Sequence, residues 1–145
     1  MRKKSKLLEM ANLALKNAYA PYSKFYVGVA ILSENNNYYS GCNVENVSFP
    51  CGTCAEAGAI SAMVCGGDTK IKEILITSLG KELVYPCGAC LQRIREFATP
   101  LTKIHLADNE KIIKTYKVNS LFINIIAIPK TNILHNEFTS NLFSF

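Results

Sequence analysis

Two short stretches, Cys54-Ala55-Glu56 and Pro86-Cys87-Gly88-Ala89-Cys90, decide how the rest of the chain is read. Together they offer three thiols and one carboxylate. A C-x-x-C pair can present two sulfurs to one ion from a single turn of chain, at roughly 2.3 Å each. A catalytic zinc takes three protein ligands and keeps one tetrahedral position open for water or substrate. The third sulfur must then come from elsewhere, and Cys54 is the best-placed donor. Glu56 as a fourth ligand would fill the open position. It suits proton transfer instead, taking a proton from water and delivering it to a reacting group.

Blander readings stand beside this one. A lone C-x-x-C also fits a redox pair or half of a structural zinc knuckle. Cys51 and Cys54 form a further C-x-x-C, which with Cys87 and Cys90 would give a closed four-cysteine site. A disulfide framework is disfavoured, because no secretory leader precedes these cysteines and six thiols in a reducing compartment point to metal chemistry.

Three thiolates more than cancel the charge of one zinc ion and weaken its power to acidify water. Both stretches read as helix starts, one running from Cys54 to about Val64 and the other from Pro86 through Phe97. A helix N-terminus offers free N–H groups and about half a positive charge, which lowers thiol pKa values. Two such ends converging on one ion would offset part of the surplus.

At 145 residues the chain is expected to form one domain spanning 1–145, with a substantial core. Hydrophobic residues make up 49% and charged residues 19%, the balance of a compact globular protein, and no apolar run reaches the length of a membrane span. The formal charge of +5 is modest, and Arg2, Lys3, Lys4 and Lys6 supply much of it from one end. Without a basic stripe interleaved with aromatics, neither a nucleic-acid partner nor a membrane is expected. The expected location is the cytoplasm.

Outward from the two stretches, Lys6 to Tyr19 reads as an amphipathic helix ended by Pro21. Phe25–Leu32 and Tyr38–Asn43 read as a strand hairpin about an Asn35-Asn36-Asn37 turn. Gly66-Gly67 stops the first motif's helix, and Ile71–Leu79 is the next strand. Lys103–Ala107 and Lys111–Val118 read as short strands, and Ile123–Ile128 is apolar, β-branched and strand-like. The alternation implies an α/β layered domain with helices on both faces of a sheet. Both thiol stretches then sit at helix N-termini along one sheet edge, where α/β ligand sites lie. Residues 129–145 are expected to form either a loosely packed tail or a segment docking on a neighbouring subunit. Cys42, Cys51 and Cys65 read as small apolar fillers, and His105 and His135 as packing or strand-surface residues.

C-x-E followed by P-C-x-x-C is the three-cysteine form of the zinc-dependent nucleobase deaminase pattern. With Ala20-Pro21-Tyr22-Ser23-Lys24-Phe25 and Gly41-Cys42-Asn43-Val44-Glu45-Asn46 in the same order, the chain resembles the small homotetrameric cytidine deaminases of pyrimidine salvage over roughly residues 5 to 110. The resemblance implies a three-layer α/β/α domain with a central mixed sheet of about five strands. It implies one Zn²⁺ per subunit on Cys54, Cys87 and Cys90, with Glu56 as the catalytic acid and base. Asn43 and Glu45 would hydrogen-bond the ribose, Phe25 would lie against the pyrimidine or its sugar, and the Ala55 N–H would meet the base. Phe49 would reach a neighbouring subunit's site. The small-molecule partner would be a nucleoside, and the assembly a tetramer.

Three departures accompany the likeness. Ala57 and Leu91 stand where the family often has arginines that offset thiolate charge, and Arg93 or Arg95 would have to compensate from the next turn. The family's C-terminal proline-rich turn and phenylalanine are not recognisable, leaving Phe122 or Phe145 as substitutes. The implied reaction is hydrolytic deamination of cytidine and deoxycytidine to uridine and deoxyuridine. Its rivals are deamination of another cytosine-bearing small molecule such as a nucleoside antibiotic, deamination of cytosine in RNA or DNA, and a non-catalytic zinc-stabilised binding module.

Overall fold

The computed structural model describes residues 2–80 and 82–125. Helix α1 (Arg2–Lys16) is followed by the hairpin β1 (Val27–Ser33) and β2 (Tyr38–Cys42), then α2 (Ala55–Cys65) and β3 (Ile71–Ser78). Helix α3 (Gly88–Phe97), the strands β4 (Ala98–Ala107) and β5 (Ile112–Lys117) and helix α4 (Val118–Ile125) complete the order. The five strands form one mixed sheet in the order β2-β1-β3-β4-β5. Only the β3–β4 pair is parallel.

Side-chain alternation along the strands divides the interior into two layers. Val29 and Ile31 of β1, Ile74 and Ile76 of β3, and Ile104 and Leu106 of β4 face α2, α3 and α4. Ala30, Leu32, Leu75 and Ala107 face the other way and pack beneath Leu7 and Ala11 of α1. Strands buried on both faces read as unbroken apolar runs, which is why β1 is Val-Gly-Val-Ala-Ile-Leu without polar alternation. The result is the three-layer α/β/α arrangement that the alternation of elements implies.

Two glycines let the layers close. A Cβ on Gly28 would lie 2.1 Å from the Ala11 carbonyl oxygen of α1, and one on Gly41 would lie 2.3 Å from the Ala59 nitrogen of α2. Hydrogen there is the only side chain the approach of helix to strand permits. Because α2 rests directly on Gly41, that glycine sets the height of the helix whose first turn carries Ala55 and Glu56.

Three elements differ from the sequence reading. Helix α1 stops at Lys16, short of Tyr19, because the backbone of Tyr19 is claimed by strand-like pairing: its N–H donates to Asn43 O at 2.9 Å and its carbonyl accepts from the Glu45 N–H at 2.8 Å. Strand β4 begins at Ala98 rather than Lys103, carried there by an irregular register against β3 near Ile71. The strand-like segment Ile123–Ile128 is overturned up to Ile125, where α4 runs instead; Val118 and Leu121, one helical turn apart, are fully buried in the layer shared with α2 and α3. Residues 126–128, the tail 129–145, His135 and Phe145 lie outside the described residues, as does the side chain of Phe122.

Candidate metal centre

Strands β2 and β3 both run antiparallel to β1, so their C-terminal ends share one edge of the sheet. From that edge the chain enters α2 and α3. Cys54 and Cys87 occupy the N-cap positions of these helices, with extended backbone at φ −70°, ψ 152° and φ −67°, ψ 168°. Cys90 lies one turn into α3 and is buried. The three Sγ atoms all lie within 4.8 Å of one another. A tetrahedral ion held at roughly 2.3 Å by each sulfur needs sulfurs about 3.8 Å apart, so the cluster fits a zinc ion after a small contraction. Thiolate donors also suit zinc among the common divalent ions. Cys51 is exposed in the single 3₁₀ turn Phe49–Cys51 and takes no part in the cluster. The closed four-cysteine alternative has no fourth sulfur among the described residues. Cys51 and Cys65 are exposed and Cys42 half-buried, which corrects their reading as interior fillers.

The three thiols feel different surroundings. Partial burial pushes Cys87 up, but the backbone N–H of Cys90, its side chain and the N–H of Ala89 outweigh that and bring its pKa below the ordinary thiol value. This is the expected influence of a helix start. Burial dominates at Cys54 and at Cys90, and both thiols are raised; at Cys90 the neighbouring Glu56 carboxylate adds to the effect. A metal-free site therefore holds mostly neutral thiols, and loading it with zinc must expel protons.

Glu56 is 5% exposed, in the first turn of α2 against Cys90. Burial raises its pKa, only partly opposed by its own backbone N–H, the Cys90 thiol and the charge of Arg93. Ala55 is buried beside it, and its N–H is one of the first-turn donors for which a helix supplies no internal acceptor.

In front of the thiols opens a cleft of about 850 Å³, whose lining includes Asn43, Glu45, Phe49, Cys54, Cys87 and Arg93. Asn43 clamps the entry to β1: its Oδ1 accepts from the Val27 N–H and its Nδ2 donates to the Phe25 carbonyl, both at 2.8 Å. Glu45 accepts from the N–H groups of Tyr22 (3.0 Å) and Ser23 (3.2 Å) and from the Ser23 hydroxyl. That hydroxyl, with both N–H groups, holds the Glu45 carboxyl below its usual range. Tyr22 and Ser23 are contributors that the sequence reading did not assign; the only signal was their place in the Pro21-Tyr22-Ser23 turn. Phe25 is 50% exposed beside this turn, which removes it from the core, and it is not among the described residues lining the cleft. Phe49 on the rim is 92% exposed. A second cleft, of about 550 Å³ and lined by Lys72, Glu73, Lys103 and Lys117 among others, contains none of these residues.

Three converging thiols with a buried carboxylate against them, on helix starts at one edge of an α/β/α sheet, define the chain as a zinc-deaminase type of protein. A family model described as the cytidine and deoxycytidylate deaminase zinc-binding region matches residues 1–106. The chain belongs to this family. It is 34% identical over 119 residues to the cytidine deaminase of Mycoplasma genitalium, covering 81% of this chain and 91% of that one. It is 38% identical over 103 residues to the cytidine deaminase of Sporosarcina psychrophila, covering 71% and 76% of the two chains. The crystal structure of cytidine deaminase from Burkholderia pseudomallei superposes with a TM-score of 0.75 at 31% identity, over 81% of this chain and 94% of that one.

Proposed function

We propose that this chain is a zinc-dependent deaminase that hydrolyses cytidine and deoxycytidine to uridine, deoxyuridine and ammonia. The observation that carries the proposal is the juxtaposition of Cys54, Cys87 and Cys90 with a buried Glu56 in contact with Cys90. Cys54, Cys87 and Cys90 would hold the ion, which when bound supplies the Lewis acidity that makes water a nucleophile near neutral pH. Glu56 takes the proton released as water adds to C4 of the cytosine. It gives that proton to the ring nitrogen N3, then takes the proton of the new C4 hydroxyl and passes it to the departing ammonia, one buried carboxyl serving as base and acid in turn. Burial suits both tasks, since a carboxylate short of donors accepts a proton readily.

The nucleoside enters along the cleft. Asn43 commits one lone pair and one N–H to the backbone of Phe25 and Val27, so one of each remains for a ribose hydroxyl. Glu45, ionised and fixed by the turn at Tyr22 and Ser23, accepts from a neighbouring hydroxyl. The family resemblance supports Phe25, beside the cleft and outside its described lining, lying against the pyrimidine or its sugar once a nucleoside is bound, and the Ala55 N–H meeting the base. The exposed Phe49 and Val47 on the rim support a homotetramer in which Phe49 closes a neighbour's cleft. We assign the enzyme to pyrimidine salvage in the cytoplasm, where six unpaired thiols are the ordinary state. Residues 1–145 act as one domain. Among the described residues, no helix is long and apolar enough to cross a membrane.

The test is turnover of cytidine followed by ultraviolet absorbance, for the wild type and Glu56→Gln, with zinc quantified in both. The expected result is a variant that keeps its metal and loses roughly 10²- to 10⁴-fold in rate. A metal-loaded Glu56→Gln that still turns over cytidine would remove Glu56 from the reaction.

A further inference from the structure

We infer that Arg93 is the positioning cation of the metal centre, its guanidinium offsetting the negative charge that three thiolates and Glu56 accumulate once zinc is held. The inference rests on the zinc reading above. Three thiolates around one Zn²⁺ leave a net charge of −1, and Glu56, 5% exposed, adds another when ionised. Cys54 and Cys87 are exposed, but Cys90 and Glu56 are buried, so solvent screens only part of this surplus. The residues next to the reacting groups supply nothing: Ala57 follows Glu56, and Leu91, fully buried in the core, follows Cys90.

Among the described residues lining the cleft, Arg93 is the one lysine or arginine. It stands three residues after Cys90 and four after Ala89, hence on the face of α3 that carries them. Long side chains on a helix lean back over the preceding turn, here toward the N-terminus where the thiols gather. Arg95, the other sequence candidate, is turned elsewhere, its Nη1 donating to Asn119 Oδ1 of α4 at 2.6 Å.

The direction of the effect follows from charge balance. Zn²⁺ held on three thiolates gives the loaded site a net charge of −1. A fixed positive charge nearby favours the loaded form, and its removal weakens zinc retention. Arg93 acts through the ion and Glu56 and is therefore a positioning residue.

The experiment compares zinc-loaded wild type, Arg93→Gln, Arg93→Lys and Arg95→Gln by competition with a chelator of known zinc affinity, followed by kcat and KM for cytidine. Melting of the metal-free proteins checks that each is folded. At partly exposed separations one unit charge corresponds to a change of roughly five- to tenfold in affinity. Arg93→Gln is expected to lose that much and to fall in kcat with KM little changed, Arg93→Lys to recover most of it, and Arg95→Gln to match the wild type. Wild-type zinc affinity in Arg93→Gln, or an equal loss in Arg95→Gln, overturns the role of Arg93 and leaves the zinc reading standing. A wild type that takes up no zinc overturns the zinc reading itself.

Discussion

Helix α2 has a buried carboxylate at each end, and the two are treated in opposite ways. Glu56 in its first turn is 5% exposed and Asp68, just past its C-terminus, is 4% exposed. Their exposures are alike but their depths are not: desolvation is the largest influence on Glu56 and the smallest on Asp68. Asp68 instead accepts from Asn35 Nδ2 (2.6 Å), Asn37 Nδ2 (3.1 Å) and the Tyr39 hydroxyl (2.8 Å). With Ser33 first in strength, these donors hold its carboxyl far below the ordinary carboxylate range. Glu56 has no such ring, and burial pushes it up. Low exposure alone therefore does not assign a carboxylate its work; its depth and the number of donors aimed at it do. Asp68 ties the β1–β2 turn to the end of α2, whereas Glu56 is kept short of partners and so stays able to take up a proton.

Exchanging each carboxylate for its amide is the strongest way to break this contrast. Glu56→Gln is expected to lose roughly 10²- to 10⁴-fold in turnover while leaving the melting temperature near that of the wild type, because it removes a charge that few partners stabilise. Asp68→Asn should do the reverse: an amide presents donors to the donors of Asn35, Asn37 and Tyr39, so the melting temperature drops while activity of the folded protein survives. Thermal melts and cytidine assays on both variants check the pair, and matching losses in both quantities would erase the distinction. Gly41→Ala comes next in size. Its new methyl would meet Ala59 N at 2.3 Å and the Ala55 carbonyl oxygen at 2.7 Å, lifting the catalytic half of α2 and not the Asp68 end. Overpacking of this kind costs about 1–3 kcal/mol. Loss of turnover at temperatures where the variant remains folded would show that the height of α2 matters to Glu56.

What the sequence discloses tracks how local the cause is. Cys54, Cys87 and Cys90 were legible because a three-residue spacing and two helix starts carry nearly all of their geometry. Strand β1 was legible from its unbroken apolar run. The end of α1 was not, since it is fixed by hydrogen bonds from Tyr19 to Asn43 and Glu45, over twenty positions away. Helix α4 was misread because Leu121-Phe122-Ile123-Asn124-Ile125 fits either period, and only the burial of Val118 and Leu121 one turn apart decides for the helix. The Asp68 ring illustrates the same limit. Asn35-Asn36-Asn37 announced a turn, and Asn36 does adopt a positive φ of 64° there. Nothing local announced that its flanking amides reach a carboxylate some thirty residues on.

The finest test of the contrast lies on the acid side of the stability profile. A carboxyl whose folded pKa is depressed contributes stability that is complete above its unfolded value and disappears as pH falls through the folded one. For Asp68 the loss begins near the unfolded value of about 4 and continues downward as pH falls. Glu45 and Asp108 are lowered in the same sense; both are more exposed than Asp68, so water competes for them and their share is smaller. Urea midpoints measured from about pH 7 down to about pH 3 should therefore fall less steeply for Asp68→Asn than for the wild type, the two curves approaching each other at the acid end. Parallel curves would mean that the hydrogen bonds around Asp68 stabilise the carboxylate no better than water does, and the two ends of α2 would then differ in geometry alone.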